Sequence, residues 1–366
     1  MKKDEYNPHV HLHQEDIEIS KETKVLLQQA RQIYEENFPD KKTWYGRCIF
    51  ISWFCSKDDC KFCFRSTKRF QETHPDGSRR SMGSVLLEAL FCKLFNWRIE
   101  FLTGGYGIMP VDDLIEYIKN VSAVYGEKMW LNLGVMSPKN IEKVKPYVKG
   151  MVSSLETCNP ELHKYVCPSN PIEPYDKMFT LLTENHPDMK KSVAIIVGLG
   201  EELEDIRYLF DFIEKQKLDR VTVYALKPVR GTEYTKGPSV EEYLQWLASI
   251  RIKFPKLEII AGTNLRRCEE VGWLMEAGVN AFTKYPATKQ FATKKAKLME
   301  DLIIANKRDY ISNLTKLPTN PEIDWDAEIE KLEIKEEYKQ EMNEKLGPYL
   351  KKFKNPVDKD PKFKIL

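Results

Sequence analysis

Between residues 48 and 306 the chain alternates, eight times over, a short apolar run with a longer stretch whose apolar residues recur at helical spacing. The short runs span 48–54, 99–103, 129–135, 151–155, 192–197, 221–226, 257–261 and 279–283 and are rich in β-branched and aromatic residues. The helical stretches span 84–95, 111–124, 138–149, 175–184, 202–217, 240–253, 268–276 and 289–306. Parallel strands need long crossovers between them, and a right-handed helical connection is the common solution. The pattern therefore predicts an α/β chain, and eight such units suffice to close a (β/α)8 TIM-type barrel. A doubly wound open sheet is the other architecture that this alternation permits.

Polar and glycine-containing segments follow the C-terminal ends of several predicted strands: 55–63, 104–107, 156–159, 198–201, 227–232 and 263–267. In parallel-stranded barrels that rim is where sites are built. Around a barrel over residues 46–310, two helical extensions are expected, over 1–45 and 311–366. The first holds a helix over 21–38 with Val25, Leu26, Ala30, Ile33 and Tyr34 as its apolar stripe. The second is helical through 322–344, with Trp325, Ile329, Leu332, Ile334, Tyr338 and Met342 at helical intervals, and packs across the barrel or a partner subunit. From Lys345 onward it becomes basic, and Lys351, Lys352, Lys354, Lys359, Lys362 and Lys364 form a solvated end.

Charge and hydropathy argue against two classes of partner. The 57 basic and 55 acidic residues leave a net charge of +2, so no chain-wide field favours nucleic acid. No apolar run reaches the roughly 20 residues that span a bilayer, and no signal-peptide pattern opens the chain. His9, His11 and His13 would point to one side of an extended arm, which reads as a free terminus or a metal site.

The eight cysteines suit reduced thiols in the cytoplasm better than a disulfide framework. Three crowd into nine residues, Cys55-Ser-Lys-Asp-Asp-Cys60-Lys-Phe-Cys63, directly after the first apolar run. Thiolates this close can converge on one metal centre. Three of them on an iron–sulfur cubane leave one iron open to a substrate, whereas a structural zinc needs a fourth ligand, here a histidine or Cys48. Cys48, Cys158, Cys167 and Cys268 read either as small buried thiols or as an auxiliary cluster.

Cys55, Cys60 and Cys63, with Phe62 before the last, resemble the cluster loop of the radical S-adenosylmethionine (SAM) superfamily, although the usual spacing of three and two residues is here four and two. Thr103-Gly104-Gly105-Tyr106 is similar to the family's Gly-Gly-Glu segment, with Tyr106 in place of the acid. The run from Ala194 through Ile196 and Gly198 to Glu201 is similar to the adenine-binding fifth strand. Ser153 to His163, ending at Pro168, resembles the biotin synthase and [FeFe]-hydrogenase maturase branch, as does Lys227-Pro228-Val229-Arg230-Gly231-Thr232. Cys167 stands where that branch has a basic residue, leaving Lys164, Lys227 and Arg230 as candidates for a carboxylate clamp.

The resemblance implies a [4Fe–4S] cluster on Cys55, Cys60 and Cys63, with SAM held by Phe62, Gly104, Gly105, Tyr106, Glu156, Ile196 and Gly198. Tyr224, Lys227, Arg230, Asn264 and Arg266 would face a small-molecule second substrate, with a ferredoxin or flavodoxin as electron donor. Within the branch the pattern resembles the archaeal radical enzymes associated with the iron-guanylylpyridinol cofactor of [Fe]-hydrogenase. The competing readings are a biotin-synthase-like or lyase enzyme on an amino acid or other small molecule, and a zinc-binding scaffold without turnover. The oligomeric state is not legible.

Overall fold

In the computed structural model, which describes residues 17–71, 73–317 and 323–354, eight parallel strands close on themselves. They are β1 (Lys42–Phe50), β2 (Arg98–Thr103), β3 (Met129–Asn132), β4 (Val148–Glu156), β5 (Lys190–Val197), β6 (Arg220–Ala225), β7 (Glu258–Gly262) and β8 (Ala281–Thr283). Each pairs with the next, and β1 closes the ring by pairing with both β2 (Gly46↔Arg98) and β8 (Trp44↔Ala281). The expected (β/α)8 barrel is therefore the observed fold. A short β9 (Asp309–Tyr310), not foreseen, continues the sheet beside the start of β1 (Lys42↔Asp309).

Helices surround the ring: α1 (Lys21–Asn37), α2 (Met82–Leu94), α3 (Val111–Tyr125), α4 (Pro138–Val144), α5 (Pro160–Val166), α6 (Glu173–Asn185), α7 (Ile206–Gln216), α8 (Val240–Lys253), α9 (Val271–Glu276), α10 (Lys294–Ala305), α11 (Trp325–Glu330) and α12 (Glu336–Lys354). Among the described residues no helix is long and apolar enough to cross a membrane.

Several sequence-derived boundaries need correction. The first strand starts at Lys42, not at residue 48, and leaves the sheet before residue 54. Hydropathy concealed it because Arg47 interrupts the run, yet Arg47 is an integral strand residue that donates to Glu88 of α2 at 3.1 and 2.9 Å. Burial opposes ionisation of Glu88, but Arg47 and Arg80 hold its carboxyl below the ordinary value. The helix expected over 138–149 stops at Val144, and the chain enters β4 at Val148. The strand expected to reach residue 135 ends at Asn132, and α10 starts at Lys294 rather than 289. On α1 the buried stripe is Thr23, Leu27, Ala30 and Tyr34, whereas Val25 is exposed. That face is chosen by contact with α8 and α9 rather than by hydropathy alone.

The C-terminal helix continues to Lys354, past Pro348, instead of giving way at Lys345. It lies on α2, where Phe91 meets Trp325, Tyr349 and Phe353 at ring-centroid distances of 5.6, 5.1 and 5.1 Å. The tail thus packs across the barrel, one of the two outcomes expected. Lys351 and Lys352 are exposed. Lys359, Lys362, Lys364 and the histidines His9, His11 and His13 lie outside the described residues.

Inside the ring, Cys48, Phe101, Trp130, Val152 and Ala194 form one apolar layer. A polar knot is set among them. The buried Glu100 carboxylate accepts from Tyr224 at 2.9 Å, from Cys48 at 2.7 Å and from Thr283. Arg220 lies over the Trp130 ring at 3.9 Å and donates to the Glu100 carbonyl at 3.1 Å. These partners are what make a buried carboxyl and guanidinium tolerable.

Candidate active site at the mouth of the barrel

The C-terminal strand ends converge on a cavity of about 400 Å³, bordered by Cys55, Cys60 and Cys63. After β1 the chain stays tied to the barrel, with Ile51 N–H donating to Thr103 O at 2.8 Å, and then turns over the mouth. Three tethers set the cysteine loop. Ser56 N–H donates to Tyr106 O at 2.9 Å, Lys61 N–H to Val166 O at 2.9 Å, and Cys63 N–H closes a turn onto Cys60 O at 3.1 Å. The β2 loop presses against it through Gly105, where an added Cβ would lie 2.0 Å from Phe54 O and 2.5 Å from the Cys55 Cβ. Only glycine permits that approach. It brings Tyr106 N–H to 3.3 Å from Cys55 Sγ, a donor of the kind that stabilises thiolate or cluster sulfur.

The three thiols are free and half-buried. Among the described residues no three His, Cys, Asp or Glu side chains converge as one metal ion requires. In a cubane each thiolate takes its own iron, so three sulfurs surround the core instead of meeting at a point. The donor set fits a cluster better than a closed tetrahedral ion. Cys48, weighed as a fourth zinc ligand, is spent inside the barrel on Glu100. Nor do three of Cys48, Cys158, Cys167 and Cys268 gather as an auxiliary cluster. Burial pushes the Cys158 and Cys268 thiols up to about 12. Cys167 is different: contact with the Cys60 thiol, together with burial, pushes its own thiol up.

Glu156 reaches the cavity through a local device. The register between β4 and β5 slips between Ser154 and Glu156, and Glu156 takes a left-handed φ of +62°. Such a bulge re-aims a side chain, here into the cavity. Burial pushes the carboxyl up to about 7, while Lys284 and Arg65 pull the other way. His163 braces this corner, its two ring nitrogens lying 2.7 Å from Leu155 O and 2.7 Å from Asn170 O. Tyr106 turns to the Tyr175 hydroxyl, which donates to Asn170 Oδ1 at 3.1 Å. Gly134 leaves room for the Tyr106 ring, since a Cβ there would come within 2.8 Å of it.

Of the residues singled out from sequence, Phe62, Gly104, Gly105, Tyr106, Glu156, Ile196, Tyr224, Lys227 and Asn264 border the cavity with the three cysteines. Gly198, Arg230, Arg266 and Lys164 do not. Gly198 forms a turn behind the wall at φ +105°, its N–H donating to the Glu201 carboxylate. Its glycine is there because a Cβ would meet Pro238 Cδ at 2.7 Å. Sequence reasoning missed Phe50, Lys57, Arg65, Asn132, Ser154, Asn170, Tyr175 and Lys284, all on the cavity wall. Asn132 and Lys284 stand at or just beyond strand C-termini, so the rim rule could have found them; Asn170 and Tyr175 carry no such signal.

Residues 49–213 match the model of the radical SAM superfamily. An uncharacterized protein of Methanocaldococcus jannaschii is 33% identical over 346 residues, covering 89% of this chain and 94% of that protein. The biotin synthase of Anoxybacillus flavithermus is 22% identical over 273 residues, covering 69% of this chain and 78% of that enzyme. In fold, the chain is similar to methylornithine synthase (TM-score 0.60, 19% identity, 75% of this chain and 83% of that one). It is likewise similar to the [FeFe]-hydrogenase maturase HydG of Carboxydothermus hydrogenoformans (TM-score 0.61, 18% identity, 94% and 85%). Matched by that model and carrying the three-cysteine loop over a closed barrel, the chain is an enzyme that belongs to the radical SAM superfamily.

Proposed function

We propose that the cavity holds a [4Fe–4S] cluster on Cys55, Cys60 and Cys63 together with SAM, and that the enzyme draws a hydrogen atom from a small organic substrate at the barrel mouth. The observation that carries this reading is the three-thiol loop locked over the cavity by Gly105 and the Tyr106 N–H. Cys55, Cys60 and Cys63 would hold the cluster, whose chemistry there would be one-electron reductive cleavage of the SAM C–S bond to methionine and a 5′-deoxyadenosyl radical.

The chain's own residues do the rest. Gly104 and Gly105 offer a close backbone approach for the amino-acid end of SAM, and Glu156 offers a hydrogen-bond acceptor when ionised. Ile196 and Phe62 give apolar walls to the adenosyl portion. The Lys61 tether to Val166 O keeps the loop closed over the mouth, which limits solvent access to a reactive carbon centre. Electrons would come from a small carrier such as a ferredoxin or flavodoxin.

The finer role we propose is in maturation of the iron-guanylylpyridinol cofactor of [Fe]-hydrogenase. It is supported by the widened cysteine spacing on a barrel of biotin-synthase type. Anaerobic reconstitution with iron, sulfide, reductant and SAM should yield absorbance near about 400 nm and 5′-deoxyadenosine. A colourless protein, or intact SAM, would reject the radical reading. Deleting the gene should abolish active [Fe]-hydrogenase; unchanged activity would reject the finer role alone.

A further inference from the structure

Lys284 follows β8 directly and takes a left-handed φ of +69°, unusual for a residue with a side chain. Strain of this kind persists where the surroundings enforce it, and it concentrates in ligand sites. The result of the strain is visible. The ammonium enters the cavity between two rings, 4.6 Å from the Tyr224 centroid and 5.4 Å from that of Phe50. Among the described residues no carboxylate lies within ion-pairing distance of it. The Tyr224 hydroxyl is committed to Glu100, so it offers Lys284 a ring face and no oxygen.

The neighbouring strand ends repeat the theme. Lys227, just past β6, borders the same cavity and makes no hydrogen bond or ion pair among the described residues. Asn264, just past β7, accepts from Arg266 N–H through Oδ1, which leaves its amide donors unspent. One arc of the mouth, β6 to β8, thus presents two cations and an amide whose donors, among the described residues, meet no carboxylate or other hydrogen-bond acceptor. The arc from β1 to β5 carries the cysteines, the Gly-Gly segment and Glu156. In the ring, β4 and β8 lie on opposite sides, so Glu156 and Lys284 face each other across the cavity.

Charge balance argues that the ligands of the radical reading do not neutralise this arc. An oxidised cubane with three thiolates carries one net negative charge, and SAM carries one net positive charge. We infer that Lys284, with Lys227 and Asn264, forms an anion subsite for the second substrate, which is a carboxylic acid or a similar small oxyanion. The inference rests on the radical reading for the word substrate, while the subsite stands on its own geometry. A SAM carboxylate offers the same chemistry, but its amino-acid end belongs with the cluster on the far arc.

The test is ligand-observed NMR on the reconstituted, SAM-loaded enzyme. The probes are matched pairs: L-tyrosine and L-tyrosinamide, 4-hydroxybenzoate and 4-hydroxybenzamide, hexanoate and hexanamide. At least one acid should bind about tenfold or more tightly than its amide. Lys284→Met should erase that preference and Lys284→Arg should keep it. Lys284→Gly relaxes the left-handed backbone, so it should melt no lower than wild type and still lack the preference. Equal binding of acids and amides, binding of none, or an unchanged preference in Lys284→Met would overturn the subsite. Lost SAM affinity in Lys284→Met would assign the ammonium to the cosubstrate and overturn it equally. Absence of 5′-deoxyadenosine would instead remove the radical reading and leave the acid-over-amide comparison standing.

Discussion

The barrel mouth and the seam between α2 and α12 are both rich in aromatic rings, yet they are built to opposite ends. At the seam Phe91, Phe95, Tyr349 and Phe353 interlock at centroid distances between 5.1 and 6.4 Å, and Phe91 and Phe95 are fully buried. The charges there are matched: Glu341 of α12 accepts from Gly83 N–H of α2 at 2.7 Å, and Glu88 of α2 pairs with Arg47 and Arg80. At the mouth Phe50, Tyr106 and Tyr224 are only half-buried, and they flank cations, free thiols and two left-handed non-glycine residues. Packing of the first kind stabilises a fold. Open volume, unpaired charge and backbone strain lower stability and are kept where binding needs them. The contrast predicts that substitutions at the two places separate activity from stability.

The largest separation is expected at Cys60. Cys60→Ala should remove the cluster absorbance and lower 5′-deoxyadenosine formation about a thousandfold or more, while the unfolding free energy of the apoprotein changes by no more than about 1 kcal/mol. Retained cleavage in that variant would refute its role as a ligand. Phe91→Ala should do the reverse, destabilising by about 3–5 kcal/mol in denaturant titrations while cleavage per folded molecule stays unchanged. Equal losses of both would dissolve the distinction between seam and mouth. Gly105→Ala sits between them. Its methyl must displace Phe54 O and Cys55, so iron content per chain should fall about tenfold, at a stability loss of about 1–3 kcal/mol. Full iron loading would show that the loop yields freely.

The smallest effect is electrostatic. Glu156, pushed up to about 7 from 4.5, binds its proton more tightly folded than unfolded. The stability it contributes is therefore complete below about pH 4.5 and is lost as pH rises through about 7. Relative to Glu156→Gln, wild-type apoprotein should lose about 2 kcal/mol between those limits, less than the full shift because the carboxyl is partly exposed to the cavity. Parallel stability profiles would refute the shift.

How far each region was legible follows from the range of the interactions involved. Strand and helix periodicity carried the eightfold alternation, and the spacing of Cys55, Cys60 and Cys63 carried the cysteine loop. Strand β1 was misplaced because Arg47 looks like a break until Glu88 is seen opposite it. Gly198 matched a motif in sequence but serves a turn behind the wall. Lys284 was passed over because an isolated lysine after a strand is ordinary until its backbone angle and its lack of an ion-pair partner among the described residues are known.

The order of strands and helices, the apolar faces that drive closure and the trio of thiols were determined by the sequence alone. These are properties of neighbours along the chain, set by side-chain period and covalent spacing. Only the tertiary structure decided that Glu156 and Lys284 face each other, that Cys167 meets Cys60 and that α12 covers α2. Those relations arise when the ring closes and distant segments share one space, and no local pattern encodes a distance across a barrel.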